Sequence, residues 1–380
     1  MYENVNRQTT RESGIELLKI FAMFIIVIAH MVQTLTTLDP QLSYQGYVMD
    51  ISRATTDVQT IILLILRHFG VFGNEIFFIC SAWFLLKSDN YKKKKWFFMF
   101  LEIWVVSVLI LIITYVSLHG NISKKILIKS IFPTTFANNW YLTCYLLFYP
   151  LHTVLNKVIK GMNQNQLFRS TAVLTVLYIF LSFIKKDLFY SSNLILWITI
   201  YFIMAYMQKY LMQYADSMKV NLTILILNAV GFVGIILLTE AAGHYIPAVS
   251  GKMTHWVTDS NPFLIAVSIA LFNIVRKIHF KSKAVNYISG LSLLIYIIHD
   301  NIVIRTYFRP LLWNFVYENY GYNYVIGWVL ILAVAVFVFG LAGAVLYTAT
   351  IKKAVTKLGG RLYEGLKKRY LAVEAGILKL

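Results

Sequence analysis

Three ionisable side chains lie within one apolar segment near the start of the chain. Glu16, Lys19 and His30 belong to the stretch ELLKIFAMFIIVIAH, which is long enough to cross a bilayer. Ionisable groups are costly in hydrocarbon, so they usually face a protein interior and serve a function there. Because neutral imidazole accepts a proton near pH 7, His30 is a candidate for a general base. The alternative for His30 is a hydrogen bond between helices.

Helix geometry relates these three residues to one another. Lys19 and His30 are expected on nearly the same face, about 16 Å apart along the helix axis. Glu16 precedes Lys19 by three residues, so the two side chains can form an ion pair. An interfacial pair that reaches toward water is the alternative to a functional one.

A second apolar segment, RHFGVFGNEIFFICSAWFLL, carries an acid near its middle. Glu75 is predicted to be catalytic, and a carboxylate at that depth needs a partner, for which Arg67 and His30 are the candidates. Gly70 and Gly73 flatten one face, so that a neighbouring helix or a ligand can approach closely. The segment places Ser81 less than two turns beyond the acid.

Two further segments concentrate polar side chains inside predicted spans. NNWYLTCYLLFYP places Trp140 near an outer end and Tyr145 deeper, where the alternatives are an aromatic belt and helix packing. SLLIYIIHDNIVIR carries four polar residues within seven positions, which predicts the lining of a polar pocket; an early end of the span is the alternative. These four residues are His299, Asp300, Asn301 and Arg305.

Composition sets the class of the protein. The 380 residues are 58% hydrophobic and only 14% charged, with mean hydropathy +0.65, so lipid is a better solvent for this chain than water. We predict an all-α polytopic membrane bundle of about ten helices. The predicted spans are 14–36, 60–86, 96–117, 139–158, 170–184, 192–212, 220–240, 261–275, 284–305 and 321–350.

The distribution of positive charge predicts the orientation. With the N-terminus inside, 24 of the 35 lysines and arginines fall in cytoplasmic segments and 9 fall outside. This bias favours cytoplasmic positions for both termini and accounts for the net charge of +18 without a nucleic-acid partner. The two cysteines, Cys80 and Cys144, have no metal-site spacing, and no metal is predicted.

The chain divides into a transmembrane domain at 1–350 and a basic amphipathic cytoplasmic tail at 351–380. A helix on anionic headgroups is the interpretation that the tail favours. The run from Lys92 to Lys95 is interpreted as the anchor of a short inside loop, and its alternative is a role in holding a phosphorylated cofactor.

The motifs resemble those of the acyltransferase-3 family of multispanning membrane proteins. Lys19, ten intervening residues and His30 match the family's first-span pattern, and Glu16 matches an acid before it. FGNEIFFICSAWFL is similar to the second-span pattern, although Ala82 and Trp83 depart from it. NNWYLTCYLLFY and SLLIYIIHDN resemble later elements, and Tyr145 stands where some members have a glutamate.

The resemblance implies transfer of an acyl group, most often acetyl, from cytoplasmic acyl-CoA to a hydroxyl of a surface polysaccharide or lipid-linked sugar. It implies His30 as the base, a donor end at Glu16 and Lys19, and no permanently bound cofactor. Tyr145, Asn301 and Arg305 are candidates to stabilise the oxyanion. A proton-coupled exporter or flippase of a sugar-linked lipid, and a regulatory membrane component, are the alternative functions. The partners expected besides the substrates are membrane lipids, in a multi-pass protein of the cell membrane.

Overall fold

Every regular element that the structure describes is helical, which confirms the predicted fold class. The computed structural model describes residues 12–35, 53–185, 188, 192–256, 258–321 and 323–377. Four residues of the charge count lie outside these ranges: Arg7, Arg11, Lys186 and Lys379. The α-helices in chain order are α1 (Ser13–Thr34), α2 (Val58–Arg67), α3 (Phe69–Leu85), α4 (Lys93–Ser117), α5 (Lys124–Ile131), α6 (Trp140–Gly161), α7 (Gln164–Thr175), α8 (Ser182–Ile184), α9 (Asn193–Tyr210), α10 (Met212–Ala215), α11 (Met218–Tyr245), α12 (Pro262–Val275), α13 (Lys283–Gly290), α14 (Ser292–His299), α15 (Arg309–Tyr320), α16 (Val325–Thr350) and α17 (Lys352–Ile377).

Within the described residues, six helical segments are long and apolar enough to cross a membrane. They are Ser13–Thr34, Val58–Leu85, Lys93–Ser117, Gln164–Ile184, Met218–Tyr245 and Val325–Thr350, and each overlaps a predicted span. Among the other predictions, 139–158 and 192–212 correspond to helices α6 and α9, and Pro262–Val275 is apolar but short. The count of ten spans therefore stays a prediction.

The prediction of one continuous helix at 284–305 is wrong. The chain forms α13, turns at Leu291, forms α14, and leaves the helix again at Asp300 and Asn301. A π-helical turn follows at Ile304–Phe308 and leads directly into α15. Apolar residues flank both breaks, and the second break falls at Asp300 and Asn301, where the early end of the span offered as the alternative interpretation occurs.

Helix α1 lies at the centre of the bundle. Of its most apolar part, 67% is buried inside the protein, against 17–50% for the other five candidate spans. It packs against α3 over much of its length and also against α13, α16 and α2. The ionisable side chains of α1 are therefore surrounded mainly by protein.

A glycine permits the close approach of α1 and α3, as the sequence predicts. An ideal Cβ atom on Gly73 would lie 2.5 Å from Cγ1 of Ile26 and 2.6 Å from the carbonyl oxygen of Ala22. Such distances are too short for van der Waals contact, so any side chain at this position must push the two helices apart.

Gly73→Ala should therefore destabilise the bundle by about 1–3 kcal/mol, the usual range for overpacking a tight interior. The measurement is the apparent Tm of detergent-purified protein, read as loss of the monodisperse peak after heating. Gly234→Ala on α11 is the matched control, because a Cβ atom there meets no atom within 4 Å. Equal Tm values for the two variants would contradict the tight α1–α3 contact.

Candidate active site

Two histidines face each other where α1 and α14 meet. Nδ1 of His30 lies 3.1 Å from Nε2 of His299, and the ring centroids are 5.3 Å apart. His299 is fully buried, and its Nδ1 lies 2.8 Å from the carbonyl oxygen of Ile295. The side chain of His30 is 17% exposed, so it alone of the two has access to solvent or substrate.

These contacts determine the tautomers of the neutral pair. A carbonyl oxygen only accepts hydrogen bonds, so Nδ1 of His299 must donate to Ile295. Neutral His299 then has an unprotonated Nε2, which accepts the Nδ1–H of His30. Nε2 of His30 is left with a free lone pair, as a general base requires.

The carboxylate of Asp300 lies beside the histidine pair. Its Oδ1 is 3.5 Å from Nδ1 of His30 and 3.1 Å from Nη2 of Arg309. Asp300 is buried, and a buried carboxylate is stable only with such partners. An imidazolium formed at His30 would be stabilised by this nearby negative charge.

Arg309 connects the site to the backbone of both histidines. It is only 3% exposed, and Nη2 donates to the carbonyl oxygen of His299 at 3.0 Å. Its Nη1 lies 3.5 Å from the carbonyl oxygen of His30, and Trp313 of the same helix donates to that of Met31 at 3.1 Å. Helix α15 therefore holds the end of α1 in position next to α14.

Local sequence explains why the chain turns back here. After α14 ends at His299, the side chain of Asn301 accepts a hydrogen bond from the backbone N–H of Val303 at 3.0 Å. Asparagine favours such turns because its side chain replaces a backbone acceptor. The π-helical turn follows, and Pro310 stands in the first turn of α15, where the missing N–H carries no penalty.

His30 opens into a polar cavity of about 350 Å³, which we call the histidine cavity. Arg67, Asn74 and Trp140 also line it, and Nη1 of Arg67 is buried with no hydrogen-bond partner among the described residues. The other lining residues are Ala29, Gln33, Gly70, Val71, Tyr178, Ser182, Ser192, Asn193, Leu196, Thr258, Asp259 and Ser260.

A second, mostly apolar cavity of about 210 Å³ adjoins it, which we call the tyrosine cavity. Ser81, Tyr145 and Lys95 line it, together with Met23, Ile26, Asn74, Phe77, Met99, Tyr141, Leu142, Ser292, Leu293 and Tyr296. Asn74 lines both cavities, so its side chain is the wall they share.

Glu75 does not reach either of these cavities. Its side chain is buried, and Oε2 has no hydrogen-bond partner among the described residues. The expected pairing with Arg67 or His30 is wrong, because no ion pair joins Glu75 to either in the part of the chain that the structure describes. Successive helix positions differ by about 100°, so Asn74 takes the cavity face instead. The catalytic role of Glu75 stays a prediction.

The candidates for the oxyanion lie apart from the histidine cavity. Tyr145 lines the tyrosine cavity with Ser81, whereas Asn301 is buried and uses its side-chain oxygen in the turn described above. Arg305 lies 4.0 Å from Oδ2 of Asp300. Arg67 is the cation that lines the cavity beside His30.

At the other end of α1, the expected ion pair is confirmed. Nζ of Lys19 lies 3.2 Å from Oε1 of Glu16, and the hydroxyl of Ser289 on α13 donates to Oε2. Neither Glu16 nor Lys19 lines the two cavities. The pair joins α1 to α13, and its role at a donor end stays a prediction.

Three residues of the site are not among those that the sequence predicts as functional: Arg309, Asn74 and Asp259. Arg309 follows Arg305 by one helical turn after the HDN triplet, which is the only signal that the sequence contains for it. Asn74 is adjacent to Glu75, which the sequence analysis predicts to be catalytic, and Asp259 lies in a polar loop far along the chain.

The described helices form a membrane-type bundle, and it encloses a polar cavity lined by His30 next to a mostly apolar cavity. A family model described as an acyltransferase domain matches residues 12–349, nearly the entire chain. The chain belongs to this acyltransferase-3 family, and it is a multipass membrane acyltransferase. No curated protein and no solved structure matches it.

Proposed function

We propose that this acyltransferase moves an acetyl group from cytoplasmic acyl-CoA to a hydroxyl of a cell-surface polysaccharide or lipid-linked sugar. The observation that carries the proposal is the position of His30, which lines a polar cavity while its Nδ1 contacts His299, and Asn74 separates that cavity from an apolar one. The charge bias supports a cell-membrane protein with both termini in the cytoplasm. Acyl-CoA is a substrate here, and no permanently bound cofactor is part of the proposal.

The histidine cavity is suited to a sugar hydroxyl. It offers hydroxyl and amide groups for hydrogen bonding and the face of Trp140 for an apolar sugar surface. An acceptor bound there has its hydroxyl within reach of His30, which lines the same cavity.

The tyrosine cavity is suited to the donor's thioester arm. Its walls are mostly apolar, Lys95 also lines the basic surface beside α17, and Asn74 also lines the histidine cavity. A thioester brought to Asn74 would enter the wall shared with the histidine cavity. Donor and acceptor would then meet from opposite sides, with the charged nucleotide outside the apolar passage.

In direct transfer, Nε2 of His30 takes the proton of the acceptor hydroxyl as its oxygen attacks the thioester carbonyl carbon. The electrons of the carbonyl π-bond move to oxygen, and Arg67 is the cation at the cavity that would stabilise that oxyanion. When the intermediate collapses, the carbon–sulfur bond breaks and the thiolate receives the proton from His30. The products are the ester and free CoA.

Asp300 and His299 are positioning residues in this scheme. Both contact Nδ1 of His30, at 3.5 Å and 3.1 Å, and so direct Nε2 toward the cavity. While His30 carries the extra proton, the Asp300 carboxylate compensates its charge.

Labelled donor tests the proposed reaction. Membranes that contain the protein should transfer label from [acetyl-¹⁴C]acetyl-CoA to a glycan or glycolipid fraction, and mild alkali should release it, because the new bond is an ester. Membranes without the protein are the control. An exporter or flippase would produce no labelled acceptor, and label retained after alkali would contradict O-acylation.

A further inference from the structure

A strongly basic groove lies between the first turns of α4 and the C-terminal helix α17, and we call it the basic groove. Seven of its lining residues are lysine or arginine, and Glu364 is its one acid. Its volume is about 1490 Å³, far larger than either cavity of the active site. So many like charges around one concave surface favour binding of a highly charged anion.

Helix α17 is held in place by specific contacts with α4. A Cβ atom on Gly359 would lie 2.5 Å from Cδ2 of Leu101, so the two helices touch at this glycine. Nζ of Lys352 pairs with Oε1 of Glu102 at 2.9 Å, and the rings of Phe97 and Tyr363 lie 5.5 Å apart. The groove is thus a built feature of the fold.

The two faces of α17 differ in chemistry. Leu358, Leu362 and Leu366 recur at one-turn intervals and are exposed, which suits contact with the lipid interface. Lys357 and Arg361 are also one turn apart, and they line the basic groove. The three leucines are therefore enough for contact with the membrane surface. The cations that line the basic groove are not needed for that contact.

The basic groove and the two cavities of the active site follow one another through shared lining residues. Lys95 lines both the groove and the tyrosine cavity, and Asn74 lines both the tyrosine and the histidine cavity. A long ligand with a polyanionic head and a thin neutral arm matches this order of surfaces. Acyl-CoA has that design, with three phosphates at one end and the thioester at the other.

We propose that the basic groove binds the phosphorylated nucleotide of the acyl-CoA donor, with Lys357 and Arg361 of α17 as phosphate ligands. The proposal rests on the function proposed above and adds a site that α17 completes. Because the family match ends at residue 349, these two contacts come from outside the matched domain. Arginine and lysine bind phosphate through charge-assisted hydrogen bonds, which are strong where several converge.

A pair of double variants tests the site. Lys357→Glu with Arg361→Glu reverses two charges in the groove, and Lys367→Glu with Arg369→Glu makes the same change on exposed residues of α17 that do not line it. We expect about tenfold or greater weakening of CoA binding in the groove variant and less than about twofold in the control, because only the groove residues would make charge-assisted hydrogen bonds to the phosphates. The measurement is calorimetric titration of full-length protein in nanodiscs with CoA.

Two additional probes separate phosphate recognition from other effects. Dephospho-CoA lacks the 3′-phosphate, so it should bind the wild type more weakly than CoA. Its affinities for the groove variant and for the control variant should also differ less than those of CoA do. Lys357→Gln with Arg361→Gln removes the charges without adding acids. If folding is intact, this variant should lose CoA affinity in the same direction as the double glutamate variant but by a smaller factor. Elution of each variant as a monodisperse peak checks folding.

Each contrary outcome has a definite meaning. If the groove variant binds CoA as the wild type does while labelled acetyl-CoA still acylates an acceptor, the groove proposal falls and the enzyme function stands. If the wild type neither binds CoA nor transfers label, both fall. If the variants instead bind phosphatidylglycerol more weakly than the wild type, measured by native mass spectrometry of the detergent-purified protein, and keep CoA binding, the groove is an anionic-lipid site and the nucleotide proposal is overturned.

Discussion

His30→Ala should lower acyl transfer by about 100-fold or more while the protein stays folded in the membrane, which is the scale of a lost general base. His30 lines the histidine cavity, and its contact with His299 leaves Nε2 as the free basic nitrogen. The measurement is the initial rate of label transfer from acetyl-CoA, normalised to the amount of monodisperse protein.

Two other histidine variants make this result specific. His279→Ala is the surface control, because that side chain is 69% exposed and should leave the rate unchanged. His299→Ala should retain measurable turnover, since it removes a partner of Nδ1 and leaves Nε2 of His30 in place. An active His30→Ala protein together with an inactive His299→Ala protein would move the chemistry to α14 and refute the assignment.

Arg309→Met should destabilise the protein by about 3–5 kcal/mol, because it leaves the buried Asp300 carboxylate without its closest cation. The same change removes the donor to the carbonyl oxygen of His299, so transfer should fall as well. The measurements are the apparent Tm in detergent and the transfer rate of the surviving folded fraction.

Arg305→Met is the matched control for this prediction. Arg305 lies 4.0 Å from Oδ2 of Asp300 and its side chain is 30% exposed, so its loss should cost no more than about 1 kcal/mol. Adding Asp300→Asn to Arg309→Met removes the unpaired charge and should restore part of the Tm without restoring the rate. Equal destabilisation by the two arginine variants would contradict the assigned pairing.

The fold class and many helices are predictable because each depends on residues close together in the chain. A run of about 20 apolar residues must be helical in lipid, since the backbone has no other way to satisfy its hydrogen bonds there. The Glu16–Lys19 pair is correct for the same reason, since residues three apart on a helix are always neighbours.

The break in the segment at 284–305 shows where hydropathy fails. In one continuous α-helix, the nine steps from Asp300 to Arg309 would make about two and a half turns and would place the two side chains on opposite faces. The turn at Asn301 and the π-helical turn after it bring them to 3.1 Å instead. The apolar character of the segment contains no trace of that return.

The sequence by itself determined a helical membrane protein and the resemblance to acyltransferases, and it singled out His30 as the predicted base. Only the tertiary structure decided which groups contact that histidine: His299 and Asp300 from α14 and its end, with Arg309 behind them. It also assigned the shared wall of the cavities to Asn74 rather than to Glu75. The physical reason differs among these contacts, and none is encoded in local composition or spacing. Those of His30 join residues hundreds of positions apart, the Asp300–Arg309 pair depends on the break between the two residues, and the place of Asn74 depends on the rotation of a helix about its axis.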